Sequence, residues 1–179
     1  MTYRLLPLCV VAFSLTALPA HAQTSTPEQF SELGNQLVGR WASQITLIAD
    51  WPEFSKKQGE KVNGYTTIKW TANKHALIED ELIAEGLTKS IYFWDVDTKT
   101  IKAVRISSAG TTSTTTYWKA NETWHWKHVS AQTDGKKLKG SGTLVFEEGG
   151  NVWIGDGTAH LDGEELPHYH DVYKRVDKP

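Results

Sequence analysis

The chain has 179 residues, 19 Lys and Arg against 21 Asp and Glu, a formal charge of −2 and 39% hydrophobic residues. The length fits one domain, the near-neutral charge gives no basic footprint for nucleic acid, and the composition excludes disordered and collagen-like chains. Eight Trp beside one Cys and one Met is the unusual count.

Residues 1–22 read as a secretory signal. Met1–Arg4 is a short basic start, Leu5–Leu18 an apolar run, and Ala20-His21-Ala22 an A-x-A cleavage pattern. Cleavage after Ala22 predicts a periplasmic or secreted protein whose domain is 23–179. The apolar run is shorter than the roughly 18 residues of a spanning helix, and no later segment reaches that length, so no membrane span is predicted. The lone Cys9 falls in the removed segment. Disulfides, Cys-type zinc sites and thiol nucleophiles are therefore excluded from the mature domain.

Thr26-Pro27-Glu28-Gln29 carries a capping Thr, a Pro at the first helical position and a Gln three residues after the cap. With Phe30, Leu33 and Leu37 on one face, it predicts a short amphipathic helix over 27–37. The apolar period then changes to two. Ten strands are predicted, near 39–49, 65–71, 76–85, 89–96, 100–108, 111–119, 123–132, 137–147, 152–161 and 168–176. Turn residues separate most of them, among them Asn63-Gly64, Asp97-Thr98-Lys99, Asn121-Glu122 and Gly149-Gly150-Asn151. Gaps this short make successive strands antiparallel neighbours. The long segment 50–64, with Trp51-Pro52 and Phe54, reads as a flap. Closure into an all-β, up-and-down barrel of about ten strands with a short N-terminal helix removes exposed edges.

Two features carry a family resemblance. Gly39-Arg40-Trp41 opens the first strand directly after the helix, and Arg175 lies on the last. The chain resembles the lipocalin or calycin superfamily, and with Tyr92-Phe93-Trp94-Asp95 and Tyr173-Lys174-Arg175-Val176 it resembles lipocalin-like bacterial domains of unknown function. The resemblance implies that Trp41 plugs one end of the barrel and Arg175 lies across its ring. It implies a fold and no activity.

In a barrel one face of each strand looks inward, and charge can serve to mark the outward face. On that rule Trp41, Ser43, Ile45 and Leu47 face in from the first strand, and Ile68 and Trp70 from the second. Outward Glu79, Glu81 and Glu85 on the third leave Ile78, Asp80 and Leu82 inside. Outward Lys119 places Thr114, Thr116 and Trp118 inside, outward His125 and Lys127 place Trp124, Trp126 and His128 inside, and Leu138, Leu144 and Phe146 follow. The expected ligand-binding set is thus Trp70, Thr114, Thr116, Trp118, Trp124, Trp126, His128 and Phe146, lining a cavity for a small apolar or aromatic molecule, with no cofactor. An alternative is a cofactor-independent isomerase, cyclase or lyase in which His128 and Asp80 exchange protons.

The last strand holds Pro167-His168-Tyr169-His170-Asp171. His-x-His puts both rings on one face, half of a metal site whose third ligand would be His160 or His125. The ending also resembles that of nitrobindins, which implies haem with His168 as axial ligand and His170 beside it. The first strand lacks that family's Gly-x-Trp-x-Gly-x-Gly run, and Lys174 marks the face of His168 as outward. Glycines and acids elsewhere make no nucleophile elbow, Walker loop or dinucleotide fingerprint. The oligomeric state has no signal in the sequence.

Overall fold

The structure, a computed structural model, describes residues 23–176; the segment read as a signal lies outside them. The helix forms where its caps place it: α1 runs Pro27–Leu37. Thr26 Oγ1 accepts from Gln29 N at 3.2 Å, and Gln29 Oε1 accepts from Thr26 N at 3.0 Å. This reciprocal box satisfies two of the helix's orphan donors. Phe30, Leu33, Gly34 and Leu37 form its buried face.

Eleven strands follow: β1 (Gly39–Thr46), β2 (Lys61–Thr71), β3 (Ala76–Ile83), β4 (Gly86–Asp95), β5 (Thr100–Ser107), β6 (Thr112–Ala120), β7 (Thr123–Ala131), β8 (Lys137–Glu147), β9 (Val152–Leu161), β10 (Glu164–Glu165) and β11 (Tyr169–Arg175). β1 to β9 pair in sequence, β11 pairs with both β9 and β1, and ten antiparallel strands close on themselves. Two-residue β10 sits outside, paired to the end of β9. It is the one strand with no counterpart in the sequence reading. The segment expected to be a flap is shorter than predicted, because β2 begins at Lys61 and Asn63-Gly64 lies within it. What remains of it is a tight turn around the short 3-10 helix Pro52–Phe54, closed by a bridge between Trp51 and Lys56. Asn121 and Glu122 both adopt positive φ at the β6–β7 turn, as a two-residue hairpin of matching twist requires.

One end of the barrel is plugged. Trp41 is 1% exposed, its Nε1 donates to Leu37 O at 2.8 Å, and the Arg175 guanidinium lies 4.1 Å above its ring. Arg175 also donates to Val38 O at 2.7 Å, Gln36 O at 3.1 Å and Gly150 O at 3.0 Å. One side chain thus ties the helix end, the β8–β9 turn and the first strand together. Gly39, at φ +146°, is the residue that lets it in: a Cβ there would sit 2.0 Å from Arg175 Nη1. Trp70 joins this plug, edge-on to Phe30 at 5.5 Å and donating to Asn35 Oδ1. Trp94 donates to Ser25 O, fastening the segment ahead of the helix. Arg175→Leu is expected to cost about 2–3 kcal/mol, from orphaned carbonyls and the lost cation–π contact. Urea unfolding with an unchanged m-value checks it, and Arg175→Lys should recover little because an ammonium cannot fork to three carbonyls.

Candidate functional site

Away from the plug the barrel encloses a cavity of about 260 Å3. Its wall is set by strand register, and four strands, β3, β5, β6 and β11, depart from the charge rule. Cα pairing of Ile68 with Glu79, Ser90 with Glu79 and Ser90 with Arg105 puts Glu79, Ser90 and Arg105 on the inner face together. Glu79 and Glu81 are each 3% exposed and line the cavity. Asp80, expected inside, is on the outer wall in an exposed pair with Lys89, an interaction of little energetic consequence. Ile78 and Leu82 are outside with it. On β6 the same one-residue shift brings Thr115 and Tyr117 into the cavity, while Thr114, Thr116 and Trp118 face out. Trp118 stacks on His125 on that outer wall.

The remaining expected ligand residues divide. Trp126 and His128 line the cavity. Trp124 and Phe146 face inward but pack into the apolar core around the plug, where Trp70 also belongs. Rings not assigned to the cavity from sequence complete its wall: Trp51, Tyr92, Trp153, Tyr169 and Tyr173. Trp153 stacks on Tyr173 with centroids 3.5 Å apart, and Trp126 meets Tyr169 edge-on at 5.4 Å. The inner wall of β9 is glycine-rich so that these rings fit: a Cβ on Gly157 would lie 2.8 Å from the Trp126 ring.

Two buried carboxylates are tolerated because one guanidinium serves both. Arg105 Nη2 lies 2.8 Å from Glu79 Oε1 and 3.1 Å from Glu81 Oε2, and Arg105 Nε donates to Ser90 Oγ at 3.2 Å. Ser90 and Tyr92 hydroxyls donate to Glu79, and Thr66 and Thr88 hydroxyls to Glu81. Every oxygen of both carboxylates therefore has a partner, the condition under which burial of charge is bearable. Burial still pushes the Glu81 carboxyl above its usual value, against the pull of Arg105.

Two further titratable groups face the cavity. Burial pushes the Asp171 carboxyl up to about 7, opposed by a hydrogen bond from Tyr169. Burial, helped by the Arg105 charge, lowers the His128 imidazole to about 4, so it is neutral at physiological pH. His128 Nδ1 pairs with Thr115 Oγ1 at 2.9 Å. The expected Asp80–His128 couple does not form, since the barrel wall separates them. At neutral pH the cavity holds one guanidinium against two partnered carboxylates and a half-titrated Asp171. Its remaining surface is aromatic and aliphatic.

His168, just before β11, and His170, on its outer face, lie on the outside of the barrel at 59% and 54% side-chain exposure. Neither enters the cavity, so these residues do not fit a haem held inside the barrel with His168 as its axial ligand. Their neighbour is Asp156 of β9, not His160 or His125.

No protein-family model and no curated protein matches the chain. Among the described residues no helix is long and apolar enough to cross a membrane. The architecture is compatible with a lipocalin-like fold: a closed ten-strand antiparallel barrel with a short helix at its N-terminal side.

Proposed function

We propose that the protein is a secreted or periplasmic barrel that binds a small, uncharged aromatic or apolar molecule in its cavity. The observation that carries this reading is the wall itself, in which Trp51, Trp126, Trp153 and four tyrosines surround a small set of polar groups. At about 260 Å3 the cavity lies just below the roughly 300–1,000 Å3 of drug-sized sites, so the ligand is fragment-sized. An anionic ligand would face Glu79, Glu81 and Asp171 with Arg105 already engaged. A neutral one with a hydroxyl or amide end meets no such penalty and finds His128, Thr115 and Asp171 to bond.

The test is titration of neutral two-ring aromatics such as naphthol against their carboxylates, read by intrinsic Trp emission. Three Trp line the cavity, so a neutral ligand should quench emission strongly and saturably. The matched carboxylate should bind at least about tenfold more weakly. Native mass spectrometry of protein from its own source should find a retained small molecule. Equal affinity for the charged and neutral series, or no quenching by any, overturns the reading.

A second reading, proton transfer on such a ligand, is favoured by Asp171, a cavity carboxyl pushed up to about 7 and bonded to Tyr169. In that case Asp171 takes the role that the sequence reading gave to Asp80.

A further inference from the structure

The outer wall carries a second constellation that the cavity does not use. Asp156 is directly opposite His170 in the β9–β11 ladder, and His168 lies in the segment just before β11, its ring reaching the same carboxylate. His168 Nε2 is 3.0 Å and His170 Nδ1 2.8 Å from the same oxygen, Asp156 Oδ2, and the three donor atoms all lie within 4.8 Å of one another. Two imidazole nitrogens converging on one carboxylate oxygen are more than a charge cluster. They are three ligand atoms facing a common point, two from the paired strands β9 and β11 and one from the residue immediately before β11. Donors around one ion at bond lengths near 2.1 Å sit roughly 3.4 Å apart, so each contact need open by only a few tenths of an ångström.

We propose that Asp156, His168 and His170 bind a single divalent transition-metal ion, Zn2+ or its borderline neighbours Ni2+ and Cu2+, on the outer wall of the barrel. Two imidazoles and a carboxylate select these ions over Ca2+ and Mg2+, which want all-oxygen shells. Three protein ligands leave the remaining position open to water or an exogenous donor, the arrangement of an accessible rather than a closed structural site. Binding exchanges two N–H···O bonds for metal bonds, with each imidazole turned to the tautomer that presents its lone pair. It also clips the start of β11 to the middle of β9 just after the β10 excursion. Tyr169, between the two histidines, faces the cavity, so the ion would stiffen one part of the ligand wall from outside.

Tag-free full-length protein titrated calorimetrically with Zn2+ alone should take up one ion per chain, with Mg2+ giving no heat. Asp156→Asn, His168→Gln and His170→Gln should each weaken binding by at least about tenfold. His160→Gln, four residues from Asp156 on the same strand face, should leave it unchanged. Zn2+ should raise the thermal midpoint of the wild type and not of His170→Gln. A folding defect in the variants is bypassed by NMR of the wild type, in which sub-stoichiometric Cu2+ should broaden the His168 and His170 ring resonances first. Unsaturable uptake, affinity indifferent to the three ligands, loss in His160→Gln, or first broadening at His75 or His160 would each overturn the proposal.

Discussion

At about pH 8, Asp171→Asn is expected to raise the unfolding free energy by up to about 4 kcal/mol over the wild type, an unusual direction for a core substitution. Burial raises this carboxyl from 3.8 in the unfolded chain to about 7 in the barrel. A raised folded value means that the native state holds the proton more tightly. The associated stability is present in full below about 3.8 and is lost as pH rises through about 7. Above that, the wild type must bury a charge that Asn does not carry, while the Asn Oδ1 still accepts from Tyr169. The gain should therefore shrink towards zero by about pH 4. His128 has the opposite sign, its imidazole depressed from 6.5 to about 4. Its contribution is present above 6.5 and lost as pH falls through about 4. His128→Gln should gain about 3 kcal/mol at the acid end and nothing at neutral pH. Urea melts of both variants against the wild type across this window read the two opposed differences directly. A pH-independent increment for Asp171→Asn would show that its carboxyl titrates in the native barrel as it does in the unfolded chain, with no shift from burial. The buried Glu81, also raised, adds its charge to the forces that push Asp171 up, so its influence is part of the Asp171→Asn difference.

These two residues were unequally visible in the sequence. His128 follows from Trp124-His125-Trp126-Lys127-His128, where an exposed Lys fixes the parity and two rings confirm it. Asp171 sits between Tyr169 and Tyr173, and those aromatics were the signal for its inward face. A rule that reads charge as outward passes over it. The same rule inverted β3. Glu79 and Glu81 read as solvent-facing because the guanidinium that neutralises them lies 24 or more residues away, on β5. Meanwhile the outer wall there is unusually apolar, with Leu87 61%, Ile91 47% and Ile106 60% exposed. Alternation gave the strands and left the sign of the alternation to be set by one partner that only register supplies. The helix, the plug and the ten-strand closure were legible because each rests on local or near-terminal patterns: the capping box, Gly39-Arg40-Trp41 and Arg175. Asp156 was not legible as a neighbour of His168 and His170. The offset between β9 and β11 is fixed by the β10 excursion, which has no period of its own.

Arg105→Met should cost about 3–5 kcal/mol at neutral pH, because removing the shared cation strands two buried carboxylates. Glu79 and Glu81 side chains are 4% and 2% exposed, while Arg105 keeps 34%. The penalty therefore falls on groups that cannot recover hydration by moving outward. Their hydroxyl partners, Ser90, Tyr92, Thr66 and Thr88, stay in place but supply dipoles where a full charge was needed. The defect should ease as pH falls, where Glu81, its carboxyl already pushed up by burial, accepts a proton and donates to one of its own hydroxyl partners. It should also be repaired by Glu79→Gln with Glu81→Gln, since a buried ion set replaced as a whole by neutral groups is often no less stable than the original. If the triple variant folds like the wild type, it separates the cavity's two properties. Neutral aromatics should still quench its Trp emission, because Trp51, Trp126 and Trp153 are untouched. The wild-type discrimination against carboxylates should weaken, because two of the three negative groups facing the ligand are gone. Retained discrimination would place the selectivity in Asp171 alone. Loss of all binding would mean that the ion set shapes the cavity rather than filtering what enters it. Either result is read against urea melts of the single Arg105→Met variant, whose failure to lose stability would mean that the shared guanidinium is not what makes burial of the two acidic side chains tolerable.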